Sequence, residues 1–264
     1  MVTGIGDRVL PFAGIHNFRD YGGYAVPDGR LVRGRLYRSA QHRDASPEDL
    51  EMVAALGLAA VIDLRSNSER RVAPCPRPRN FSARVLFVDD ETVGLAPHVE
   101  AARNVTNPDE ARASICRGYT EMPFRPQLKL ALRYYFEALA AEDGATLIYC
   151  MAGKDRTGIA VALFQSLMGV HRDDIISDYL LTNQAGRIDE RIVAGGRHVR
   201  AVFGAHLSDD AVRVLMSVEA QYLQAAFDAI TTHNGSVVAY LGEHIAMTPA
   251  WREQILRRVI TARS

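Results

Sequence analysis

At 264 residues, with apolar side chains at 48%, the chain has material for a sizeable core in one large domain or two small ones. Lys plus Arg and Asp plus Glu are each 31, so the formal charge is zero, which excludes the broad basic field of a nucleic-acid binder and leaves any positive field local. Three cysteines (Cys75, Cys116 and Cys150) are too few for a disulfide scaffold, no stretch approaches membrane-spanning length, and no basic-plus-apolar leader opens the chain. The expectation is a cytoplasmic protein without a transmembrane segment, secretion by a route needing no standard signal being left open.

Residues 12–39 are rich in Gly, Tyr and Arg, and Pro27-Asp28-Gly29 marks a turn, so a hairpin or irregular strands are expected there. Ser46-Pro47-Glu48-Asp49 predicts a helix start, with Ser46 as N-cap, Pro47 at the first helical position and Asp49 completing a capping box. Gly57 ends that helix, and Ala59 to Leu64 reads as a buried strand. A proline-rich loop carries Cys75, which reads as a spare surface thiol, and Arg84 to Val88 reads as the next strand. Residues 111–140 are helical in pattern, interrupted by Pro123 and Pro126. The apolar run Ala145-Thr146-Leu147-Ile148-Tyr149 predicts a short buried strand, and Thr157 to Leu167 an apolar helix. Strands alternating with helices in this way indicate an α/β layered fold.

Beyond that helix the chain reads as helical throughout. Ile175, Ile176, Tyr179 and Leu180 fall at helical spacing within 172–182. Residues 183–204 carry Arg187, Arg191, Arg197 and Arg200 against Asp189 and Glu190, with a break expected at Gly195-Gly196. Two readings stay open there, a solvated amphipathic helix and a lid. Ser208-Asp209-Asp210 predicts the cap of a long helix reaching about Ile230, and two more helices start from Gly235 and from Thr248-Pro249.

Between the predicted strand and the predicted apolar helix lies Cys150-Met151-Ala152-Gly153-Lys154-Asp155-Arg156. A loop joining a strand end to a helix N-terminus turns backbone N–H groups inward, and the helix dipole adds positive charge, so it suits a tetrahedral oxyanion such as phosphate. The same field favours a thiolate at Cys150. Arg156 brings a planar fork able to clamp two phosphate oxygens. A nucleotide-binding Gly-x4-Gly-Lys-Ser/Thr loop does not fit, because Ile148 stands where its first glycine belongs and Asp155 where its hydroxyl belongs. A sulfurtransferase loop fits less well than a phosphate loop, given Arg156 followed by Thr157. An inert buried cysteine would require Lys154, Asp155 and Arg156 to be buried without an anionic ligand.

The segment resembles the Cys-x5-Arg-Thr loop of the cysteine-dependent phosphatases. Its Ala-Gly-Lys-Asp-Arg-Thr-Gly form is similar to that of the atypical tyrosine phosphatases of bacteria and fungi, some of which also act on phosphoserine and phosphoinositides. His16-Asn17-Phe18-Arg19-Asp20-Tyr21-Gly22-Gly23-Tyr24, Leu36-Tyr37-Arg38-Ser39-Ala40 and Val61-Ile62-Asp63-Leu64-Arg65 carry the likeness further, over residues 12 to about 184. The resemblance implies a central sheet flanked by helices in a single phosphatase domain over 1–264. Its core would span about 12–184, with a possible helical lid at 183–204, where family members carry helical insertions, and C-terminal helices over 208–262.

The implied activity is phosphomonoester hydrolysis on phosphotyrosine proteins, through a phosphocysteine and without metal or cofactor, releasing inorganic phosphate. Phosphoinositide or dual-specificity substrates, and a phospho-ligand module without turnover, are the alternatives. Cys150 is then the nucleophile, while Met151, Ala152, Gly153, Lys154, Asp155, Arg156 and Thr157 cradle the phosphate. Lys154 adds charge for heavily anionic substrates, and the Thr157 hydroxyl eases departure of the thiolate. No Trp-Pro-Asp motif accompanies the lone Trp251, so the general acid is sought first at Asp155, then at Asp63, then at Asp89 or Asp90. Asp63 reads equally well as a structural partner for an arginine. Tyr149 stands where the family usually has histidine, which puts the behaviour of the loop in question.

Overall fold

The computed structural model, which describes residues 7–91, 105–203 and 207–262, contains eight short strands among those residues. They are β1 (Arg19–Asp20), β2 (Ala25–Val26), β3 (Gly29–Leu31), β4 (Leu36–Ser39), β5 (Leu58–Asp63), β6 (Arg84–Phe87), β7 (Ala145–Tyr149) and β8 (Ile260–Ala262). The central sheet has the order β1-β4-β7-β5-β6, in which β4, β7, β5 and β6 are parallel and β1 is antiparallel to β4. Parallel strands covered on both faces need apolar side chains throughout, and the five residues of β7 are all buried. Register places Tyr149 opposite Ser39 on one side and Asp63 on the other, so β4, β7 and β5 end together and Cys150 leaves the sheet at its middle. The carboxyl ends of parallel strands form the crevice where such sheets hold ligands.

The capping box expected at Ser46 is present: Ser46 Oγ accepts from the Asp49 amide and Asp49 accepts from Ser46, opening α1 (Pro47–Ala55). A second box, Ser66 with Glu69, opens α2 (Asn67–Val72). Then come α3 (Pro108–Glu121), a 3₁₀ turn at Met122–Phe124, and α4 (Pro126–Ala141), so the two prolines divide the helical stretch as their missing N–H groups require. The helix after β7 is α5 (Asp155–Met168), closed by Gly169 in the left-handed region. It is followed by α6 (Arg172–Leu180), α7 (Thr182–Ala185), α8 (Ile188–Phe203), α9 (Asp209–Met216), α10 (Ala220–Asn234), α11 (Val237–Ile245) and α12 (Pro249–Val259).

A large core lies on one sheet face under α3, α4, α5 and α10, holding Tyr119, Leu132, Phe136, Ile148, Phe164 and Tyr222. A smaller one, with Phe12, Phe18, Tyr37, Val53, Leu147 and Tyr149, fills the other face. Side chains alternate along a strand, so Ile148 and Cys150 face the large core while Leu147 and Tyr149 face the small one.

Three expectations are corrected. Gly195-Gly196 does not break the chain, since α8 runs through it; a Cβ on Gly196 would meet Val212 Cγ1 at 3.0 Å, so glycine here permits close approach to α9. Residue 204, at the end of the possible lid, lies outside the described residues. The segment also has a core face, because Ile188 is buried and Ile192 packs against the large core. The long helix from Ser208 to about Ile230 is instead two, although Ser208 caps the first as expected. The break comes where Asn183 clasps Val218 through both its N–H and its C=O, each at 2.9 Å, in place of helical partners. Finally, Ile260–Ala262 is a strand, pairing with β3 to complete a three-stranded sheet β2-β3-β8.

Candidate active site

Cys150 is the first residue beyond β7 and is 2% exposed. Met151 to Lys154 form the turn that follows, and Asp155 begins α5, so the loop ends on a helix N-terminus as the apolar pattern indicates. Gly153 takes φ +61°, and a Cβ there would lie 2.3 Å from the Ser39 carbonyl oxygen. The loop therefore lies flush against the end of β4, which a side chain would prevent. From behind, Asn17 and Arg38 donate to the loop carbonyls. Thr157 is fully buried, and its hydroxyl has no hydrogen-bond partner among the described residues.

The two cations of the loop are both buried and both engaged. Arg156 donates through both terminal nitrogens to the Glu69 carboxylate at 2.7 Å each, and to the Leu64 carbonyl at 2.9 Å. Burial alone would lower the Arg156 pKa, but Glu69, with Cys150 and Asp155 nearby, holds it above the usual arginine range. Glu69 is shifted downward in turn: Arg156 and the Ser66 amide outweigh its own burial. Lys154 is 2% exposed, reaching the carbonyls of Leu215 at 2.7 Å and Ser217 at 3.3 Å, where α9 ends. Those are carbonyls that α9 leaves without helical partners, at the negative end of its dipole. A solvent-facing Lys154 is thereby ruled out. Beside Arg156 opens a cleft walled by Asp63, Arg65, Asp90, Met122, Gln127 and Arg156.

The acid candidates differ sharply in environment. Asp155 accepts from Tyr119 Oη at 2.9 Å and sits 3.5 Å from Lys154 Nζ, while Tyr119 also bonds Tyr179 Oη at 2.6 Å. Burial, and next the negative charge of Asp155, push the Tyr119 pKa well above its ordinary value, so it stays a donor. Asp63 forms a two-pronged pair with Arg65, with bonds of 2.9 and 2.8 Å, and accepts from Tyr149 Oη at 2.8 Å. The Tyr149 ring lies on His42, centroids 5.2 Å apart. Asp90 accepts from the Glu91 amide and from Gln127 at the cleft wall.

A family model described as the tyrosine phosphatase family matches residues 10–261. The chain belongs to the tyrosine phosphatase family. A protein named as a tyrosine-protein phosphatase from Cupriavidus necator is 34% identical over 256 residues, covering 93% of this chain and 87% of the relative. The triple specificity protein phosphatase PtpB of Mycobacterium tuberculosis is 33% identical over 264 residues, 89% of this chain and 92% of that protein. A tyrosine-protein phosphatase from Nostoc commune is 31% identical over a shorter span of 168 residues, 60% of this chain and 50% of the relative.

In this tyrosine phosphatase the loop residues Cys150 to Thr157 come together as one turn, with Asp155 on the loop side of α5. Asp63 lies at the same end of the sheet but is committed to Arg65 and Tyr149. Two site residues went unread in the sequence. Glu69 falls three residues after Ser66, so its capping-box spacing signals α2 but nothing signals the pairing with Arg156 across 87 positions. Tyr119 lies on a helix whose apolar face alone would explain it. Cys75 is half-buried, with its sulfur 3.2 Å from the His42 amide, and is less exposed than a spare surface thiol. No helix among the described residues is long and apolar enough to cross a membrane.

Proposed function

We propose that the protein is a cysteine-dependent phosphomonoesterase of the atypical bacterial type, a single cytoplasmic phosphatase domain across 1–264 acting on phosphotyrosine proteins. The observation that carries this reading is Cys150 leaving the middle strand of a parallel sheet on a loop that ends at a helix N-terminus, with Arg156 in the first turn of that helix. The Cys150 thiolate attacks phosphorus, forming an S–P bond as the P–O bond to the leaving group breaks. Met151 to Arg156 amides and the Arg156 guanidinium hold the equatorial oxygens, which gain charge in the transition state. Arg156 is kept in place by Glu69 and the Leu64 carbonyl, so its fork needs little reorganisation to meet the anion. Asp155 gives its proton to the leaving oxygen, steadied by Tyr119. Water then cleaves the phosphocysteine, with Asp155 taking its proton, and inorganic phosphate leaves. Thr157 Oγ, without another partner among the described residues, donates to the departing thiolate.

A lipid or multi-specific phosphate substrate is the second reading. It is favoured by the triple specificity named for the mycobacterial relative. The non-catalytic module loses its motive, because Tyr149 turns to the opposite sheet face and bonds Asp63 rather than distorting the loop. The segment 183–204 is the lid of this reading, and Lys154 separately ties the phosphate loop to the end of α9. Hydrolysis of p-nitrophenyl phosphate by the wild type with chelator present, and its absence in Cys150→Ser, tests the assignment. Activity above about 1% in Cys150→Ser refutes the nucleophile role, since losing a covalent nucleophile costs far more. A panel of phosphopeptides and soluble inositol phosphates separates the two substrate readings.

A further inference from the structure

The patch His16 to Tyr24 and the patch Leu36 to Ala40 contain no group that the reaction above uses, yet they meet directly behind the phosphate loop. We infer that Asn17 and Arg38 are positioning residues for the bound oxyanion, turning loop amides toward it and keeping an unneutralised positive charge behind it. The inference rests on the phosphatase reading of the loop and adds to it.

Geometry gives the first half. Asn17 Nδ2 donates to the Gly153 carbonyl at 2.8 Å and to the Ala152 carbonyl at 3.3 Å, and Arg38 Nη2 donates to Gly153 O at 3.1 Å. In a trans peptide the N–H points opposite to the C=O, and the described residues hold no cis bond. Drawing the Ala152 and Gly153 carbonyls outward therefore directs the N–H groups of Gly153 and Lys154 to the inner side of the loop. The sense of the Asn17 amide is not arbitrary: Arg19 Nη1 donates to Asn17 Oδ1, so the NH₂ end must face the loop. Asn17 holds φ +58°, a left-handed conformation that asparagine tolerates better than most residues, and its own N–H is fixed by Ala185 O at 2.8 Å.

Charge gives the second half. Arg19 and Arg38 are at most 1% exposed and share a single carboxylate, Asp178, itself fully buried. Arg38 Nη1 meets Asp178 Oδ2 at 2.8 Å, and Arg19 Nε meets Oδ1 at 3.4 Å; Arg38 Nε has no partner among the described residues. Burial and then repulsion from Arg38 pull the Arg19 pKa down to about 10, which still leaves it cationic at neutral pH. Two guanidinium groups on one carboxylate leave one buried positive charge, costly to hold without a counter-charge. Of the other loop cations, Arg156 is paired with Glu69, and Lys154 is held by the Leu215 and Ser217 carbonyls. The excess charge lies one side chain behind Gly153, where an oxyanion in the loop would offset it.

Tungstate, a tetrahedral oxyanion, is the probe, measured on the full chain by calorimetry and as a competitive inhibitor of p-nitrophenyl phosphate hydrolysis. Asn17→Gly keeps the left-handed backbone and removes the carboxamide. It should weaken tungstate about tenfold and raise KM in step, as loss of two hydrogen bonds to the loop predicts. Arg38→Met removes the excess charge and leaves Asp178 paired with Arg19, and should weaken tungstate further; Arg38→Lys, which keeps the charge, should lose less than Arg38→Met. Tyr240→Phe, which removes a buried hydroxyl bonded to Pro123 O, is the destabilised control and should bind tungstate as the wild type does. If the Asn17 and Arg38 variants lose melting temperature like Tyr240→Phe but keep full tungstate affinity, they only brace the fold and the inference fails. A wild type that binds no tungstate also overturns it. A wild type that binds tungstate but hydrolyses nothing overturns the phosphatase reading alone, and the binding series still decides this one.

Discussion

Lowering the pH from 6.5 toward 4 should destabilise the fold through one side chain, His42. Its ring is 6% exposed, stacked on Tyr149, with Nε2 3.1 Å from Ser39 Oγ. Burial, and then the positive charge of Arg65, draw its pKa from 6.5 down to about 4, against a smaller opposing pull from Asp63. The unfolded chain takes up this proton near pH 6.5 whereas the folded chain refuses it until about pH 4. In that window the unfolded state binds more protons, so stability falls as pH falls. A gap of that size corresponds to about 3 kcal/mol lost by pH 4, a large share of the 5–15 kcal/mol typical of a folded domain. Urea unfolding at a series of pH values measures it directly, in the wild type and in His42→Gln, which keeps a polar contact for Ser39 but does not titrate. The variant should show a flatter slope between pH 6.5 and 5, where the wild type loses stability. Below about pH 4, both should fall together as carboxylates such as Glu69, held ionised by Arg156, take up protons. Identical slopes in the two proteins across the upper window would refute the reasoning.

Gly153→Ala should cost about 1–3 kcal/mol of stability from its left-handed backbone and lower kcat/KM about a hundredfold, since the new Cβ meets the Ser39 carbonyl and displaces the loop; wild-type turnover and melting temperature would contradict it. Asp155→Asn should slow phenyl phosphate far more than p-nitrophenyl phosphate, with Tyr119→Phe showing a smaller bias of the same kind. Equal losses on both substrates would move the acid to Asp63 or Asp89. Asn183→Ala should cost about 1–2 kcal/mol by releasing the turn between α9 and α10, and, with 183–204 as a cover, should speed peroxide inactivation of Cys150; an unchanged rate would count against a cover.

What could be read in the sequence was local. The Ser46 capping box, the proline breaks before and after the 3₁₀ turn, and the apolar runs of β5 and β7 each have a cause within a few residues, and each lies within one or two positions of its expected place. The phosphate loop is local too, seven consecutive residues between a strand and a helix. What escaped depends on partners far along the chain. Helix α9 stops because Asn183 takes hold of Val218, and no pattern within 208–230 announces that. Gly195-Gly196 resembles a break, but Gly196 lies against Val212, and close packing rather than a turn explains that glycine. Tyr149 looked like a perturbation of the nucleophile because it adjoins Cys150; strand alternation sends it to the other face, where Asp63 and His42 receive it. Asp63 reads equally well as an acid or as a structural partner, and its contacts to Arg65 and Tyr149, which lie 2 and 86 positions away, include one that no local pattern announces.

The pairing of β3 with β8 bears on how the molecule acquires its fold. Arg30 and Thr261 face each other across the two strands, so the small sheet joins segments separated by most of the chain. Closing a loop of that length carries a large entropic cost before any contact offsets it, and pairings of such high sequence separation form late. Until β8 arrives, the hairpin of β2 and β3 presents an unpaired edge of the kind that recruits other chains. The hairpin leads directly into β4, against whose end the phosphate loop rests. Newly made chains should therefore hold an assembled central sheet while this outer seam is still open, and that interval is when misassociation between copies competes with completion of the native state.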